Sequence, residues 1–198
     1  MITLDQVRRA LREHQAASVE APEARPAAVA LILHETPEGL EALLIKRAER
    51  SGDPWSGQVA LPGGRREPGD ADLLATALRE TREETGIELA GAEQLGRLDD
   101  LYPRTPTLPP VVVRPYVFAV GARPALVPDV EVERAFWVPL RRLAEPGVRR
   151  KVTLTVRGVE RTFPAYQVGD DVIWGMTERI ITPFVELVSR GTRGDSPG

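Results

Sequence analysis

A glycine pair, followed at a fixed distance by an acidic helical stretch, limits the possible folds of this chain most strongly. The apolar run at 59–61 ends at a proline, and the glycine pair 63–64 then lets the backbone turn tightly and approach a ligand closely. Asp70 or Asp72 can cap the start of a helix, and Gly86 stands where a left-handed C-terminal cap is common. The sequence therefore predicts a strand, a glycine turn and a capped helix in direct succession.

Three glutamates crowd together on this predicted helix. Because each helical residue rotates by about 100°, Glu80 and Glu84 point within roughly 40° of one another, and Glu83 lies about 60° from Glu80. Like charges at this spacing repel each other by roughly a few tenths of a kcal/mol, and a hard divalent cation with oxygen ligands would offset that repulsion. A solvated charged face is the alternative interpretation of the glutamates alone. A different face of the helix carries the residues expected to meet a core, namely Leu74, Leu78, Thr81 and Thr85.

The whole segment resembles the signature of the Nudix hydrolases, G-x5-E-x7-R-E-U-x-E-E-x-G-U, in which U is a bulky apolar residue. The matching residues are Gly64, Arg79, Glu80, Glu83, Glu84, Gly86 and Ile87. The sequence departs from the signature in three places: Asp70 replaces the first glutamate, eight residues instead of seven separate it from Arg79, and Thr81 replaces the first apolar residue. The half of the signature that holds the metal-binding carboxylates is intact.

One subgroup, the coenzyme A pyrophosphatases, is similar in further places. The stretches 67–72 (E-P-G-D-A-D) and 76–81 (T-A-L-R-E-T) resemble the wording of that subgroup around the motif. Residues 173–177 (I-W-G-M-T) resemble it as well, whereas 44–50 (L-I-K-R-A-E-R) match its arginine-containing stretch only in part. The resemblance covers roughly residues 27–188.

The resemblance implies an α/β fold, a Nudix-type α/β/α sandwich with a mixed β-sheet between helices. It implies hydrolysis of a phosphoanhydride bond with Mg²⁺ or Mn²⁺ as cofactor. The expected partner is a small-molecule nucleoside diphosphate linked to another group, first of all coenzyme A, cleaved to 3′,5′-ADP and a phosphopantetheine. ADP-ribose, a dinucleoside polyphosphate and an oxidised nucleotide stay open as substrates, and a non-catalytic nucleotide-binding module stays open as a different class of function. A homodimer is compatible with the resemblance.

The same resemblance assigns roles to the motif residues. Glu80, Glu83 and Glu84 are the expected metal ligands, and Gly64 is expected to contribute its backbone. Either Glu80 or Glu83 orients or deprotonates the attacking water. Arg79, which belongs to the catalytic set, is expected to brace the motif by pairing with a carboxylate on the next turn or loop.

Residues outside the signature supply candidate substrate contacts. Arginine binds phosphate by paired hydrogen bonds, which makes Arg47, Arg50, Arg65 and Arg66 candidates, although an isolated arginine is more often simply exposed. Trp55 is the candidate for stacking on a base. An acidic helper outside the motif is also open, and a surface charge is the favoured interpretation of its three candidates, Asp129, Glu131 and Glu133.

Composition excludes several other classes of function. A net charge of −3 gives no electrostatic case for nucleic-acid binding, and no apolar run approaches a membrane span. The absence of cysteine excludes disulfides, thiol nucleophiles and thiolate metal sites. The N-terminus lacks the features of a signal peptide, and we expect a cytoplasmic protein.

The pattern along the chain predicts one α/β domain at 27–190, preceded by a helix and linker at 1–26 and followed by a disordered tail at 191–198. Pro115 interrupts a strongly strand-like stretch, which predicts a sheet edge or a bulge there. Helices are expected at 3–14, 140–144 and 177–190, and strands at 27–33, 42–46, 58–61, 94–101, 111–120, 135–138, 152–156 and 161–166.

Overall fold

In the part of the chain that the computed structural model describes, residues 2–50, 56–103, 109–156 and 158–190, strands and helices follow one another closely. In chain order they are α1 (Leu4–Glu13), β1 (Arg25–Thr36), β2 (Gly39–Arg47), β3 (Val59–Ala60), β4 (Gly63–Arg65), α2 (Leu73–Thr85), β5 (Glu93–Arg97), β6 (Val111–Val120), β7 (Val132–Pro139), α3 (Leu140–Ala144), β8 (Arg149–Val156), β9 (Val159–Val168), β10 (Asp171–Trp174) and α4 (Gly175–Arg190). Each predicted helix and strand is present, with ends that differ by a few residues. The predicted tail at 191–198 lies outside the described residues.

The main sheet is mixed, as the sequence predicted. Its order is β3-β2-β1-β6-β5, with β4 paired to β1 and β7 paired to β2. Strands β1 and β6 run parallel, and the other pairs in this sheet are antiparallel. A smaller antiparallel sheet, β10-β9-β8, precedes the last helix.

Helices cover both faces of the main sheet, which explains why β1 and β2 are apolar almost throughout. On one face α2 packs against a cluster that includes Ala30, Ile32 and Phe118. On the other face α1, α3 and α4 enclose a larger cluster that includes Leu31 and Phe184. The α/β/α sandwich is therefore confirmed. No helix among the described residues is both long enough and apolar enough to span a bilayer.

The prediction of a sheet edge or bulge at Pro115 is wrong. Strand β6 lies between β1 and β5, and Pro115 stands opposite Val29 in the parallel pair. The irregular register is in β5, between Gln94 and Gly96. The β5–β6 ladder ends at the pair Arg97–Tyr116, so Pro115 lies just beyond the end of β5. Because β5 stops there, the absence of an N–H group on Pro115 disturbs the sheet little.

A buried ion pair, together with a hydrogen bond to Val19, holds the segment after α1 against the sheet. The carboxylate of Asp100, which is 0 % exposed, accepts hydrogen bonds of 2.8 and 2.7 Å from the guanidinium of Arg114. It also accepts one of 3.1 Å from the amide of Val19. Burial raises the pKa of Asp100, but the bonds from Arg114 and Val19 outweigh this, so that the pKa lies below its ordinary value.

Candidate active site

The glycine pair forms a short strand instead of the predicted turn. Gly63 and Gly64 belong to β4 and pair with Val29 and Ala28 of β1. A Cβ atom on Gly63, whose φ is 148°, would lie 2.3 Å from the carbonyl oxygen of Ala28. A Cβ atom on Gly64 would lie 2.4 Å from Oε1 of Glu80. The first glycine thus lets two strands pair closely, and the second lets a carboxylate rest against the backbone.

Glu84 lies on the buried side of α2, so the expectation that the acidic and core-facing sides are separate is wrong for this residue. Glu84 is only 4 % exposed, while Leu74 and Leu78 are half-buried. Its Oε2 accepts a hydrogen bond of 2.8 Å from the amide of Gly63, and its Oε1 lies 3.6 Å from Nη1 of Arg47. Burial raises the pKa of Glu84 to about 8, and the Gly63 amide opposes that rise.

Glu80 and Glu83 are more accessible than Glu84. The side chain of Glu80 is 17 % exposed and that of Glu83 is 47 % exposed. Burial is the main reason that the pKa of Glu80 lies above its ordinary value, against the opposing effect of Arg79. Exposure to solvent therefore increases from Glu84 through Glu80 to Glu83.

Arg79 holds the motif together, as the sequence predicted for its structural role. Its Nε and Nη2 donate to both carboxylate oxygens of Asp70 at 2.9 Å. Its Nη1 donates to Glu80 at 2.9 Å and to Glu83 at 3.0 Å. Arg79 is the main reason that the pKa of Asp70 lies well below its usual range. A catalytic role for Arg79 stays a prediction.

The departure from the signature at Asp70 is accommodated by a tight loop. Asp72, not Asp70, caps α2 by accepting a bond of 2.8 Å from the amide of Ala75. Asp70 instead turns inward, where its Oδ2 accepts from the Glu67 amide and the Thr76 hydroxyl, each at 2.9 Å. The amide of Asp70 donates to the carbonyl of Glu67 at 3.0 Å, and this turn presents the aspartate side chain to the guanidinium of Arg79.

A cleft of about 420 Å³ opens beside the motif. Its lining includes the carboxylates of Glu67, Glu80, Glu84 and Glu131 and the guanidinium groups of Arg47 and Arg65. The apolar part of the lining comprises Ala27, Val29, Leu61, Val111, Val113, Met176 and Ile180. A ligand in this cleft would therefore meet both charged groups and hydrocarbon.

The predicted substrate contacts divide into three groups. Arg47 and Arg65 line the cleft together with Gly64. Arg50 donates from Nη1 to Oε1 of Glu131 at 2.8 Å and is not among the lining residues. Trp55 lies outside the described residues.

Arg66 forms hydrogen bonds within the loop and is not among the residues that line the cleft. Its guanidinium donates to the carbonyl oxygens of Asp70 and Ala71 at distances of 2.9 to 3.3 Å. The alternative that it binds phosphate receives no support from this arrangement.

Glu131 carries a partly exposed charge, as the favoured interpretation predicted: its side chain is 46 % exposed and accepts from Arg50 at 2.8 Å. It also lines the cleft, next to the start of β7, and its carbonyl accepts from the amide of Ala48 at 2.8 Å. Glu133 lies at the surface and accepts from Lys46 at 3.0 Å. The charge of Asp129 contributes to the raised pKa of Glu84, so this aspartate also lies near the motif.

Comparison with known proteins agrees with this geometry. A model of the NUDIX domain matches residues 24–156. The chain is 33 % identical over 175 residues to the human mitochondrial coenzyme A diphosphatase NUDT8, covering 85 % of this chain and 72 % of that protein. The chain belongs to the Nudix hydrolase family. Family membership makes it a pyrophosphohydrolase.

Other relatives are similar over different shares of their length. An uncharacterised protein of Schizosaccharomyces pombe is 35 % identical over 130 residues, which is 63 % of this chain but only 40 % of that protein. The Nudix hydrolase NudL of Yersinia pestis (strain Pestoides F), itself uncharacterised, is 31 % identical over 156 residues, which is 74 % of this chain and 72 % of NudL. Among solved structures, a MutT/nudix family protein from Enterococcus faecalis shares the fold, with a TM-score of 0.56 at 24 % identity over 94 % of this chain and 70 % of that one.

Nudix hydrolases generally need divalent metal ions, and the chemistry of this site fits that need. Its donors are carboxylate oxygens, which suit hard cations. Burial raises the pKa of both Glu80 and Glu84, and a cation beside them would stabilise their charged forms. Among the described residues no three acidic or histidine side chains converge as a ready-made cluster, and Nη1 of Arg79 donates to both Glu80 and Glu83.

Proposed function

We propose that this Nudix hydrolase is a Mg²⁺- or Mn²⁺-dependent pyrophosphatase of coenzyme A or its derivatives, releasing 3′,5′-ADP and a phosphopantetheine. The observation that carries the proposal is the cleft, whose lining combines carboxylates and arginines with apolar side chains. The identity with the human coenzyme A diphosphatase supports the same substrate class. A cytoplasmic location and a homodimer stay predictions.

The charged residues of the cleft lining suit attack on a diphosphate. A divalent cation held by Glu80, Glu83 and Glu84, with help from the Gly64 backbone, would neutralise phosphate oxygens and lower the pKa of a bound water. As water oxygen bonds to phosphorus and the anhydride P–O bond breaks, the second phosphate would leave as its anion and the carboxylate of Glu80 or Glu83 would accept the water proton. Arg47 and Arg65 line the same cleft and would donate to the phosphate oxygens.

The apolar residues of the cleft lining suit the part of the substrate that does not react. The pantetheine arm of coenzyme A is long, uncharged and carries a geminal dimethyl group. Val111, Val113 and Met176 offer hydrocarbon to such an arm, and contact with it removes apolar surface from water. A second nucleoside would place a polar ribose against these residues, which favours coenzyme A over a dinucleoside polyphosphate.

The test is product analysis after incubation with Mg²⁺ or Mn²⁺ and a panel of coenzyme A, acetyl-coenzyme A, ADP-ribose, NADH, diadenosine polyphosphates and 8-oxo-dGTP. Preferential release of 3′,5′-ADP from coenzyme A supports the proposal. Preference for ADP-ribose, a dinucleotide or an oxidised nucleotide keeps the chemistry and refutes the substrate. No turnover with either metal favours a nucleotide-binding module.

A matched pair of variants separates catalysis from binding. Glu83→Gln removes one carboxylate of the motif, and we expect kcat to fall by about a hundredfold or more while the fold survives. Glu88→Gln changes an exposed glutamate beyond the end of α2, and we expect wild-type turnover. Equal activity of the two variants would contradict the assigned role of the motif.

A further inference from the structure

The first turn of α4 forms part of the cleft wall. Met176, Thr177 and Ile180 line the cleft, although they lie about a hundred residues from the Nudix motif. The hydroxyl of Thr177 donates to the carbonyl oxygen of Val59 in β3 at 3.1 Å, and Ala60 of the same strand also lines the cleft. The position of this helical turn therefore determines where one part of the cleft wall lies.

Directly beside this turn is a buried carboxylate that the proposed chemistry does not use. Glu178 is 2 % exposed, and its Oε1 accepts from Nε of Arg149 at 2.8 Å. The same oxygen accepts from the hydroxyl of Thr182 at 2.9 Å, and the hydroxyls of Thr182 and Tyr166 lie 2.8 Å apart. These contacts join α4 to β8 and β9 of the smaller sheet.

We propose that the Arg149–Glu178 ion pair positions the substrate-binding wall of the cleft. Glu178 and Thr177 are consecutive in α4, so the helix cannot rotate or slide at Glu178 without moving Thr177 and its neighbour Met176. A buried ion pair is weak support for stability, because desolvation offsets its attraction, but its hydrogen bonds fix orientation. The pair acts through the wall residues and does not touch the reacting phosphates.

A split between KM and kcat follows from which elements line the cleft. The carboxylates stand on α2 and the glycine pair on β4, whereas the Arg149–Glu178 pair holds α4 against the smaller sheet. Disturbing the pair therefore weakens contact of α4 with the non-reacting arm and leaves the carboxylates of α2 in place. This inference rests on the proposed function only for the identity of that arm.

Kinetics of four variants test the proposal. Arg149→Met removes the charge from a half-exposed partner, Glu178→Gln removes it from the buried partner, and Arg149→Lys keeps it. For the first two we expect the KM for coenzyme A to rise about tenfold with kcat within about twofold of wild type, and Arg149→Lys to restore much of the loss. The control is Glu93→Gln, which breaks a carboxylate–arginine pair between β5 and α1, away from the cleft lining, and is expected to leave KM unchanged.

Several outcomes would overturn the proposal. An unchanged KM in folded Arg149→Met protein contradicts it. An equal rise of KM in the Glu93→Gln control also contradicts it, because loss of general stability would raise KM in both variants alike. A fall in kcat without a rise in KM also contradicts it. If Glu178→Gln protein does not fold, the KM of Arg149→Met protein alone tests the proposal.

Hydrogen exchange separates this proposal from the proposed function. In Arg149→Met protein without substrate, we expect the amides of 177–181 to exchange faster than in wild type, while those of 76–85 are unchanged. If wild-type protein does not cleave coenzyme A, the proposed function fails, and this measurement still decides the positioning role. Unchanged exchange at 177–181 refutes it.

Discussion

Replacing Gly64 with alanine tests how closely the Nudix carboxylates must approach the backbone. The added Cβ would lie 2.4 Å from Oε1 and 2.5 Å from Cδ of Glu80, whereas ordinary contacts begin near 3.4 Å. The carboxylate must therefore move by about 1 Å, a displacement that can cost an enzyme roughly a hundredfold in rate, or about 2.7 kcal/mol of activation free energy. We expect kcat of Gly64→Ala to fall by about that factor.

The neighbouring glycines provide two controls for this variant. A Cβ on Gly63 would lie 2.3 Å from the Ala28 carbonyl and 2.6 Å from Cα of Val29, which are backbone atoms that cannot swing away. Gly63→Ala should therefore destabilise the fold by about 3 kcal/mol and lower Tm by roughly 6–12 °C. A Cβ on Gly69 meets nothing within 4 Å, so Gly69→Ala should leave both activity and Tm close to wild type.

The assay is the steady-state rate on the preferred panel substrate at saturating metal, with Tm from circular dichroism for all three variants. Gly64→Ala should combine a low kcat with a near-normal Tm, because only a side chain has to move. A folded Gly64→Ala protein with kcat within twofold of wild type would refute the close approach of Glu80 as a requirement for catalysis.

Three further predictions concern the motif, the metal and a distant ion pair. Arg79→Lys cannot donate to both oxygens of Asp70, so we expect kcat/KM to fall at least about tenfold in steady-state assays. Removal of divalent metal with EDTA should abolish turnover, and added Mg²⁺ or Mn²⁺ should restore it; activity that persists in EDTA would contradict the metal site. Because the pKa of Asp100 is lowered on folding, its stabilising effect is present above pH of about 4 and is lost as pH falls through the folded-state pKa. The Tm difference between wild type and Asp100→Asn should accordingly be largest at neutral pH and shrink towards pH of about 3, and a difference independent of pH would contradict this.

Local sequence signals predicted most of the fold. Apolar runs and turn residues located β1, β2 and β6, and the caps of α2 follow from Asp72 and Gly86. Each of these features depends on residues within a few positions of one another, so a single sequence is enough to predict it. The position of Pro115 inside the sheet depends instead on where β5 ends, which is decided by a strand elsewhere in the chain.

The site was predictable only where the motif itself defines it. The spacing of Glu80 and Glu83 predicted that they lie together, and the resemblance to the Nudix signature predicted that Arg79 pairs with a carboxylate, as it does with Asp70. Their metal-binding and catalytic roles stay predictions. The burial of Glu84 was missed, because a helical wheel cannot show that β4 passes beside that residue. That Glu131 lines the cleft could not be predicted either, because its position there depends on contacts between distant segments of the chain.

The residues that line the cleft come from separate stretches of the chain. The region that matches the NUDIX domain ends at residue 156, yet Met176, Thr177 and Ile180 of the cleft lie after it. Mutation and selection can therefore change substrate preference through the last forty or so residues without altering any catalytic carboxylate. Engineering a new specificity into this scaffold should begin there, and a fragment trimmed to the matched region would keep the motif but lose one wall of its cleft.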